Sequence, residues 1–342
     1  MSRYFTANKL AYWERSATYL KGGCIVPVTW ELDLTTACNQ ACPGCSGNRF
    51  FNVSLSPDEA TRIVKEIADV GGEGLILTGG GDPTMNREGL LAVLGILPML
   101  LLTHGELFDE ELARVVLPHL EGIRFSLDAY DDESAVRWRG ITPERWQKTL
   151  GNIRRAVAIK RELGLTLPIG TAYLTDRERN AGIPHFADLS KALGADYAQY
   201  RPMLWSTANQ QQPDWDYPVF EELYGRAESH YPDMVTCSRQ KYDRMANGTT
   251  GRPYERCHAG RFTSTIGADG KLYFCCHTRY MPSFSFGDLK TEKLADILRT
   301  ERIENIRDRM TMEVCPLLCR GDSINRVITD MQEKKPNHLM FL

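Results

Sequence analysis

Short apolar runs alternate with stretches of helical spacing through the first part of the chain. In one such stretch, Ala60, Ile63, Val64 and Ile67 would share one face of a helix. Ser56 would cap this helix, and Pro57 suits its first position. The apolar runs predict six strands, at 30–34, 75–78, 98–103, 123–128, 167–174 and 197–201. Strands that alternate with helices in this way predict a parallel sheet with the helices packed outside it.

Three cysteines lie together on the loop that follows the first predicted strand. Cys38, Cys42 and Cys45 have the spacing Cys-x3-Cys-x2-Cys, and Pro43 and Gly44 between them suit a turn. Thiolates are soft ligands that select zinc, copper(I) or iron–sulfur clusters. A structural zinc site normally has four protein ligands, so three thiols on one loop would leave a metal with an open coordination position. A zinc loop or a chance grouping of cysteines is the alternative.

This loop resembles the cluster loop of the radical S-adenosylmethionine (SAM) enzymes. In that family three cysteines hold a 4Fe–4S cluster whose free iron binds SAM. An electron from the cluster cleaves SAM to methionine and a 5′-deoxyadenosyl radical, which takes a hydrogen atom from the substrate. The resemblance implies an α/β fold, a partial (β/α)6 barrel of the TIM type, and the six predicted strands agree with it. In such barrels the chemistry lies at the carboxyl ends of the strands.

A glycine-rich turn follows the second predicted strand. Gly80, Gly81, Asp82 and Pro83 resemble the family's Gly-Gly-Glu motif, which holds the SAM amino group, with Asp here in place of Glu. Glycines let the backbone approach a ligand, and an anion pairs with an ammonium group. Taken alone, the stretch could equally be a turn without a ligand.

Further polar residues lie at the ends of later strands. Ser126 and Asp128 end the fourth strand, and with Arg139 they resemble a Ser-x-Asp strand end and an Arg-Gly pair of the family. The resemblance implies that they lie near SAM, with Arg139 on its carboxylate and Thr103 as a weaker candidate. A surface salt bridge is the alternative for Arg139. Arg201 ends the sixth strand, and a buried arginine needs a partner, so we expect it to contact substrate or SAM.

A second cysteine set lies near the carboxyl terminus. A hairpin turn around Gly270 brings Cys257 near Cys275, and Cys315 and Cys319 follow a single helix predicted over 291–310. The set resembles the SPASM/Twitch extension of radical SAM enzymes, and two later cysteines match the shorter Twitch form, a β-hairpin plus helix. The resemblance implies a second, auxiliary 4Fe–4S cluster, although four thiols also suit one zinc. Cys276 could replace a ligand, donate a hydrogen atom or simply pack.

Composition sets the broader limits. The 342 residues, with 42% hydrophobic and 25% charged residues, predict a globular protein of about two domains. We divide it into an extension (1–29), the barrel (30–204), a linker or variable segment (205–256) with a helix predicted at 219–228, and the Twitch domain (257–342). A net charge of -3 argues against nucleic acid as a partner, and no apolar run is long enough to cross a membrane. The start lacks a signal-peptide pattern, so we expect a cytoplasmic protein whose clustered cysteines ligate metal.

A fully ligated second cluster suits electron transfer, so the resemblance favours oxidation of the substrate radical. We expect an oxidoreductase or lyase that dehydrogenates or oxidatively decarboxylates a sugar, cyclitol or nucleoside in antibiotic biosynthesis, with flavodoxin or ferredoxin as electron donor. His104, His277, Asp128 and Arg201 are candidates for the base. Three alternatives remain open: epimerisation with Cys276 or Cys237 as hydrogen donor, modification of a ribosomal peptide, and a two-zinc scaffold.

Overall fold

The computed structural model describes residues 7–43, 45, 47, 52–204, 214–310 and 315–333. The strands in these ranges are β1 (Thr29–Asp33), β2 (Gly74–Thr78), β3 (Met99–Thr103), β4 (Gly122–Ser126), β5 (Ile169–Thr175), β6 (Tyr197–Pro202), β7 (Val235–Cys237), β8 (Thr263–Ile266), β9 (Lys271–Tyr273) and β10 (Ser285–Asp288). They form one sheet in the order β10-β9-β8-β1-β2-β3-β4-β5-β6-β7.

Helices follow most of the parallel strands. They are α1 (Trp13–Leu20), α2 (Pro57–Asp69), α3 (Arg87–Ala92), α4 (Glu110–Val116), α5 (Asp132–Arg139), α6 (Pro143–Glu162), α7 (Ile183–Leu193), α8 (Tyr217–His230), α9 (Arg239–Ala246), α10 (Leu294–Leu298), α11 (Arg302–Arg309) and α12 (Asp322–Glu333). In the described part of the chain, none of them combines the length and the apolar character needed to cross a bilayer.

The barrel strands β1 to β6 are all parallel, in chain order, which confirms the predicted α/β barrel architecture. Each strand turns alternate residues to opposite faces. On β2, Leu75 and Leu77 are buried in the main hydrophobic core, which includes Ile63 and Ile67 of α2. The intervening Ile76 and the strand-end Thr78 line a cavity inside the barrel. One face of the sheet therefore packs in the hydrophobic core, and the other lines the cavity.

The carboxyl-terminal unit continues the barrel sheet. β8 pairs with β1 in parallel, and β9 and β10 follow in antiparallel order, so the predicted hairpin is present, with Gly270 at φ +81° in its turn. The single helix expected over 291–310 is instead two helices, α10 and α11. The Thr300 hydroxyl donates to the Ile297 carbonyl and accepts from the Arg302 N–H, and such local bonds compete with a continuous helix.

The stretch 205–256, expected to be a linker or variable segment, contains the predicted helix as α8 and, in addition, β7 and α9 outside the undescribed residues 205–213. β7 pairs with β6 in parallel and adds a seventh parallel strand after the six predicted ones. With three residues, β7 is too short for its apolar alternation to stand out from the sequence. The prediction also left out α5, whose start is fixed by a capping box between Asp131 and Ser134.

Candidate active site

A cavity of about 560 Å³ lies at the carboxyl ends of the barrel strands and extends to the carboxyl-terminal unit. Most of the residues predicted for the site line this cavity. They are Cys38, Cys42, Cys45, Gly80, Gly81, Asp82, Thr103, His104, Ser126, Asp128, Arg139, Arg201, Cys276 and His277. Pro83 is buried beside them as the first residue of a short 3₁₀ helix.

The cysteine loop rests on the end of α5. The Ala41 N–H donates to the Arg139 carbonyl at 3.2 Å, and the Cys42 Sγ lies 3.8 Å from the same oxygen. Gly140 ends the helix with φ +63°, and a Cβ there would lie 3.1 Å from the Ala41 carbonyl oxygen. A glycine at this position therefore lets the helix end and the loop lie against each other.

The glycine-rich turn is joined to the cysteine loop by its backbone. The Gly81 N–H donates to the Thr35 carbonyl at 3.1 Å, and the Asp82 N–H donates to the Ala37 carbonyl at 2.9 Å. A Cβ on Gly81 would lie 1.9 Å from the Ala37 oxygen, far inside contact distance. The two motifs of the sequence thus form one packed unit, and Gly81 is the point at which they touch.

The Asp82 carboxylate is buried and held from several sides. Oδ1 accepts from the Thr84 N–H at 2.9 Å, the Thr103 hydroxyl lies 2.9 Å from both oxygens, and Oδ2 accepts from the His104 N–H at 2.8 Å. Thr103 therefore orients Asp82. Since the shorter aspartate is fixed at the cavity wall, its position is set before any ligand arrives.

His104 has the character of a hydrogen-bond donor. Its Nδ1 accepts from the Glu106 N–H at 3.1 Å, which assigns the proton of the neutral ring to Nε2. Nε2 is buried, lies 3.4 Å from Asp82 Oδ2 and has no hydrogen-bond partner among the described residues. Burial lowers the pKa of His104, although Asp82 partly opposes this. A neutral ring with its free nitrogen protonated suits donation better than the expected role of base.

Arg139 forms a buried ion pair beside the three cysteines. Its Nη1 donates to Asp128 Oδ2 at 2.8 Å, and its Nε donates to Gln40 Oε1 at 2.9 Å. Asp128 is itself fixed, because it accepts from the Leu174 N–H and has φ +50°. Burial alone would lower the pKa of Arg139, but the negative charges of the Cys42 thiolate and Asp128 raise it. The pair is thus part of the cavity wall and not a surface salt bridge.

The four thiols of the second set lie close to one another. Burial raises the pKa of Cys257 to about 11, and the negative charge of Cys319 adds to the effect. Burial also raises the pKa of Cys275, as do the charges of Cys276, Cys257 and Cys319. A hydrogen bond between Cys315 and Cys319 raises the pKa of the first thiol and lowers that of the second. Binding an iron–sulfur cluster would release the thiol protons and offset the repulsion between the negative thiolates.

Cys276 faces the cavity next to this set. Its thiol and the His277 imidazole are hydrogen-bonded to each other. Burial alone would raise the pKa of Cys276, but the positive charges of Arg320 and His277 outweigh burial and lower it. Cys237, the other expected hydrogen donor, packs against the main core and is not among the residues that line the cavity.

Both cysteine sets fit the groups that the sequence implies. In the ranges that the structure describes, no three Cys, His, Asp or Glu side chains are close enough to hold a single metal ion. The loop offers three thiols at the cavity, and the carboxyl-terminal unit offers four thiols beside it. Soft thiolate sets of three and four match a cluster with one open iron and a fully ligated cluster.

Sequence reasoning missed several residues of the cavity wall, namely Arg124, Trp138, Arg179, Lys241, Arg279 and Arg320. Arg124 had a signal, because it lies two residues before Ser126 on β4 and alternate residues share a face. Lys241 had none, since no helix was predicted around it. Arg279 pairs with Asp33 of β1 at 3.1 Å, a contact between residues far apart in the sequence.

Two family models match the chain. The model of the radical SAM superfamily covers residues 32–179, and the model of the SPASM iron–sulfur cluster-binding domain covers residues 257–320. The AdoMet-dependent heme synthase of Methanosarcina barkeri (strain Fusaro / DSM 804) is 30% identical over 176 residues, 49% of this chain. That match spans about half of the relative's own length, 48%.

Solved structures share the architecture at low sequence identity. Streptococcus suis SuiB, bound to the precursor peptide SuiA, superposes with a TM-score of 0.67 at 13% identity, covering 89% of this chain and 72% of SuiB. A structure of anSMEcpe with bound AdoMet and the Kp18Cys peptide gives a TM-score of 0.58 at 14% identity, covering 82% of this chain and 83% of that one.

These comparisons correct one expectation and confirm others. The prediction of a small sugar, cyclitol or nucleoside as partner is wrong, because structures with this architecture were solved with peptides bound. The predicted cofactors are confirmed: SAM, the SAM-binding 4Fe–4S cluster and an auxiliary 4Fe–4S cluster. The chain therefore belongs to the radical SAM superfamily and is an enzyme with a carboxyl-terminal SPASM iron–sulfur domain.

Proposed function

We propose that the chain takes a hydrogen atom from a carbon of a peptide substrate and that the resulting radical is oxidised. One observation carries this proposal. A single cavity has the Cys38–Cys45 loop and Asp82 on one wall, and Cys276, next to the auxiliary cysteines, on another. A substrate in this cavity would lie between a source of radicals and an electron acceptor.

The chain's own residues would hold SAM at the barrel wall. Asp82, already fixed by Thr103, offers a carboxylate to the SAM amino group, and Arg139 offers a guanidinium to the SAM carboxylate. Ser126 lines the same wall. When bound to Cys38, Cys42 and Cys45, the 4Fe–4S cluster supplies the electron that cleaves SAM.

The peptide substrate is supported by the structural neighbours. SuiB was solved with its precursor peptide and anSMEcpe with the Kp18Cys peptide, while the relative from Methanosarcina is named a heme synthase. These two neighbours cover more than four fifths of this chain, whereas the heme synthase match covers about half of it. A peptide substrate therefore agrees with the comparisons that cover more of this chain.

The electron balance favours a net two-electron oxidation. The substrate loses one hydrogen atom to the 5′-deoxyadenosyl radical, and then one electron and one proton. Cys257, Cys275, Cys315 and Cys319 would hold the auxiliary cluster, which would accept that electron, and the proton would pass to solvent. His104 would contribute a hydrogen bond from Nε2 and not accept the proton, since its Nδ1 is already occupied.

Isotope transfer tests the proposal. Anaerobically reconstituted protein is incubated with SAM, dithionite and synthetic peptides encoded beside its gene, with deuterium on their carbon atoms. We expect deuterium in 5′-deoxyadenosine and a peptide product that has lost two hydrogens. If protein that carries both clusters and binds SAM takes deuterium from none of the peptides, the peptide substrate is wrong.

Epimerisation is the second candidate, because Cys276 lines the cavity and its thiol could return a hydrogen atom to the radical. One electron from the external reductant and one proton from solvent would then restore the thiol. In deuterated water, epimerisation would replace one hydrogen of the peptide with deuterium, whereas oxidation would remove two hydrogens. The Cys276→Ser variant separates the two reactions further. It should leave oxidation in place, but it should stop epimerisation.

A further inference from the structure

The cavity is strongly basic. Seven arginine and lysine side chains line it, against three aspartate and glutamate side chains. The proposed SAM contacts account for only one of the seven, Arg139. The other six line the same cavity without a role in those contacts.

Most of these cations have an acidic partner in the protein. Arg139 pairs with Asp128 at 2.8 Å, and Arg279 pairs with Asp33 at 3.1 Å. Arg179 forms an ion pair with Asp176, and Arg320 forms one with Glu31. These four pairs leave Arg124, Arg201 and Lys241, none of which has an ion pair within the described ranges.

Arg124 and Arg201 lie on the inner faces of β4 and β6. Arg124 donates from Nη1 to Gln199 Oε1 at 2.8 Å, a neutral partner. The Nε atoms of Arg124 and Arg201 are both buried without a hydrogen-bond partner in the described part of the chain. Burial, and next the positive charge of Arg201, lower the pKa of Arg124. Both side chains thus line one cavity, each with a buried Nε that lacks a partner, and burying such cations costs free energy unless an anion joins them.

Lys241 of α9 lies near the same place. Burial lowers its pKa, and the positive charge of Arg201 lowers it further. The negative charge of Cys319 raises the pKa of Lys241, so this lysine also interacts with a proposed ligand of the auxiliary cluster. The two arginines therefore carry the argument, and Lys241 adds to the positive potential.

We propose that Arg124 and Arg201 bind a carboxylate of the substrate, which makes the enzyme specific for an acidic peptide segment. The inference rests on the proposed peptide substrate. A guanidinium group matches the two oxygens of a carboxylate, and the amide of Gln199, which is bonded to Arg124, could donate a further hydrogen bond. Ile76 and Leu102, which line the same cavity, would contact the methylene groups that lead to the carboxylate. The carboxylate belongs either to a Glu or Asp side chain or to the end of the peptide.

Calorimetry on the reconstituted holoenzyme tests this binding, with SAM present and reductant absent so that the SAM site is filled and no turnover occurs. The probes are N-acetylglutamate α-amide for an acidic side chain, N-acetylglycine for a chain end and N-acetylglutamine α-amide as the neutral control. We expect one or both carboxylates to bind at least about tenfold more tightly than the amide. The tighter of the two identifies the source of the carboxylate.

Substitutions locate the site. Arg201→Gln and Arg124→Gln should each weaken carboxylate binding about tenfold, whereas Arg201→Lys, which keeps the charge, should lose less. Arg177→Gln, at a half-exposed ion pair with Asp214, is the matched control and should change nothing. Iron content and SAM affinity show that each variant is folded.

Two results would overturn the inference: equal binding of the glutamate and glutamine probes, or unchanged binding in both glutamine variants. Neither depends on turnover. Failure of the proposed reaction would instead show as absent deuterium transfer with carboxylate binding intact, so the two failures are distinct.

Discussion

Single atoms decide how closely the parts of this site approach one another. The glycine-rich turn and the cysteine loop meet at Gly81, where there is no room for a methyl group against the Ala37 carbonyl. The pair of backbone hydrogen bonds on either side, from Gly81 to Thr35 and from Asp82 to Ala37, fixes the register of the two loops. The position of the Asp82 carboxylate relative to the three thiols follows from that contact.

Gly81→Ala should therefore disrupt SAM binding. The added methyl group would push the turn away from the cysteine loop, and we expect SAM affinity to fall by more than about tenfold and the melting temperature to fall as well. Gly151→Ala is the matched control, because Gly151 lies in α6 with no atom within 4 Å of an added Cβ. It should leave SAM affinity unchanged and stabilise the helix by about 0.5–1 kcal/mol. Similar SAM affinities in both variants would contradict this account.

Arg139→Lys tests the geometry of the SAM carboxylate contact. Arg139 reaches Asp128 and Gln40 with different nitrogens at once, and a lysine ammonium cannot reproduce this planar arrangement. We expect SAM affinity to fall about tenfold while the iron content of the cluster is retained, as measured by calorimetry and iron analysis. An unchanged affinity would show that charge alone is needed at this position.

The residues of the site were predictable where a motif marks them. The cysteine spacing and the Gly80–Asp82 turn mark candidate residues in the sequence, and the structure brings both motifs to one cavity. The residues that support them, such as Gln40 beside Arg139, are set by contacts between distant parts of the chain, and no local pattern carries that information. The assignment of the His104 proton to Nε2, which argues against the expected role of base, likewise depends on one backbone N–H of Glu106.

At the scale of elements, β1 holds the two halves of the molecule together. It pairs with β2 on one side and with β8 on the other. At its end, the buried Asp33 carboxylate accepts from Arg279 at 3.1 Å and from the Tyr280 hydroxyl at 2.9 Å. The same strand therefore leads into the cysteine loop and contacts the carboxyl-terminal unit.

Asp33→Asn should destabilise the protein strongly. The substitution leaves the Arg279 guanidinium, which is 10% exposed, without its carboxylate, and breaking such a buried pair costs about 3–5 kcal/mol. Tyr280→Phe removes only one hydrogen bond to the same carboxylate and should cost about 1 kcal/mol. Urea unfolding followed by circular dichroism measures both. Equal midpoints for the two variants would mean that the ion pair adds no net stability.

The elements were predictable in proportion to their length and regularity. Helix α2 starts with the expected Ser56 cap and Pro57, because capping chemistry is local. The six barrel strands were found because they are apolar and flanked by glycine or polar residues. The strand β7 and helix α9 were missed, since a short edge strand and a largely polar helix give weak periodic signals.

At the scale of the whole molecule, we propose that the two cysteine sets hold two clusters with different tasks, and this division can be measured. Cys42→Ser should abolish reductive SAM cleavage but leave the auxiliary iron in place. Cys319→Ser should lose about half of the roughly eight iron atoms yet still cleave SAM. Cys24→Ser, at an exposed thiol, is the control and should change neither quantity. Loss of all iron in both variants would show that the clusters do not assemble independently.

The pairing of β8 with β1 along four residues has a consequence for how this enzyme could be shortened. A barrel cut before residue 257 would carry β1 as a bare edge, with unsatisfied backbone groups and apolar side chains open to the next copy. Such a fragment would tend to aggregate and would not behave as a minimal catalyst. The carboxyl-terminal unit would thus protect the barrel from self-association, and it would do so even without its iron.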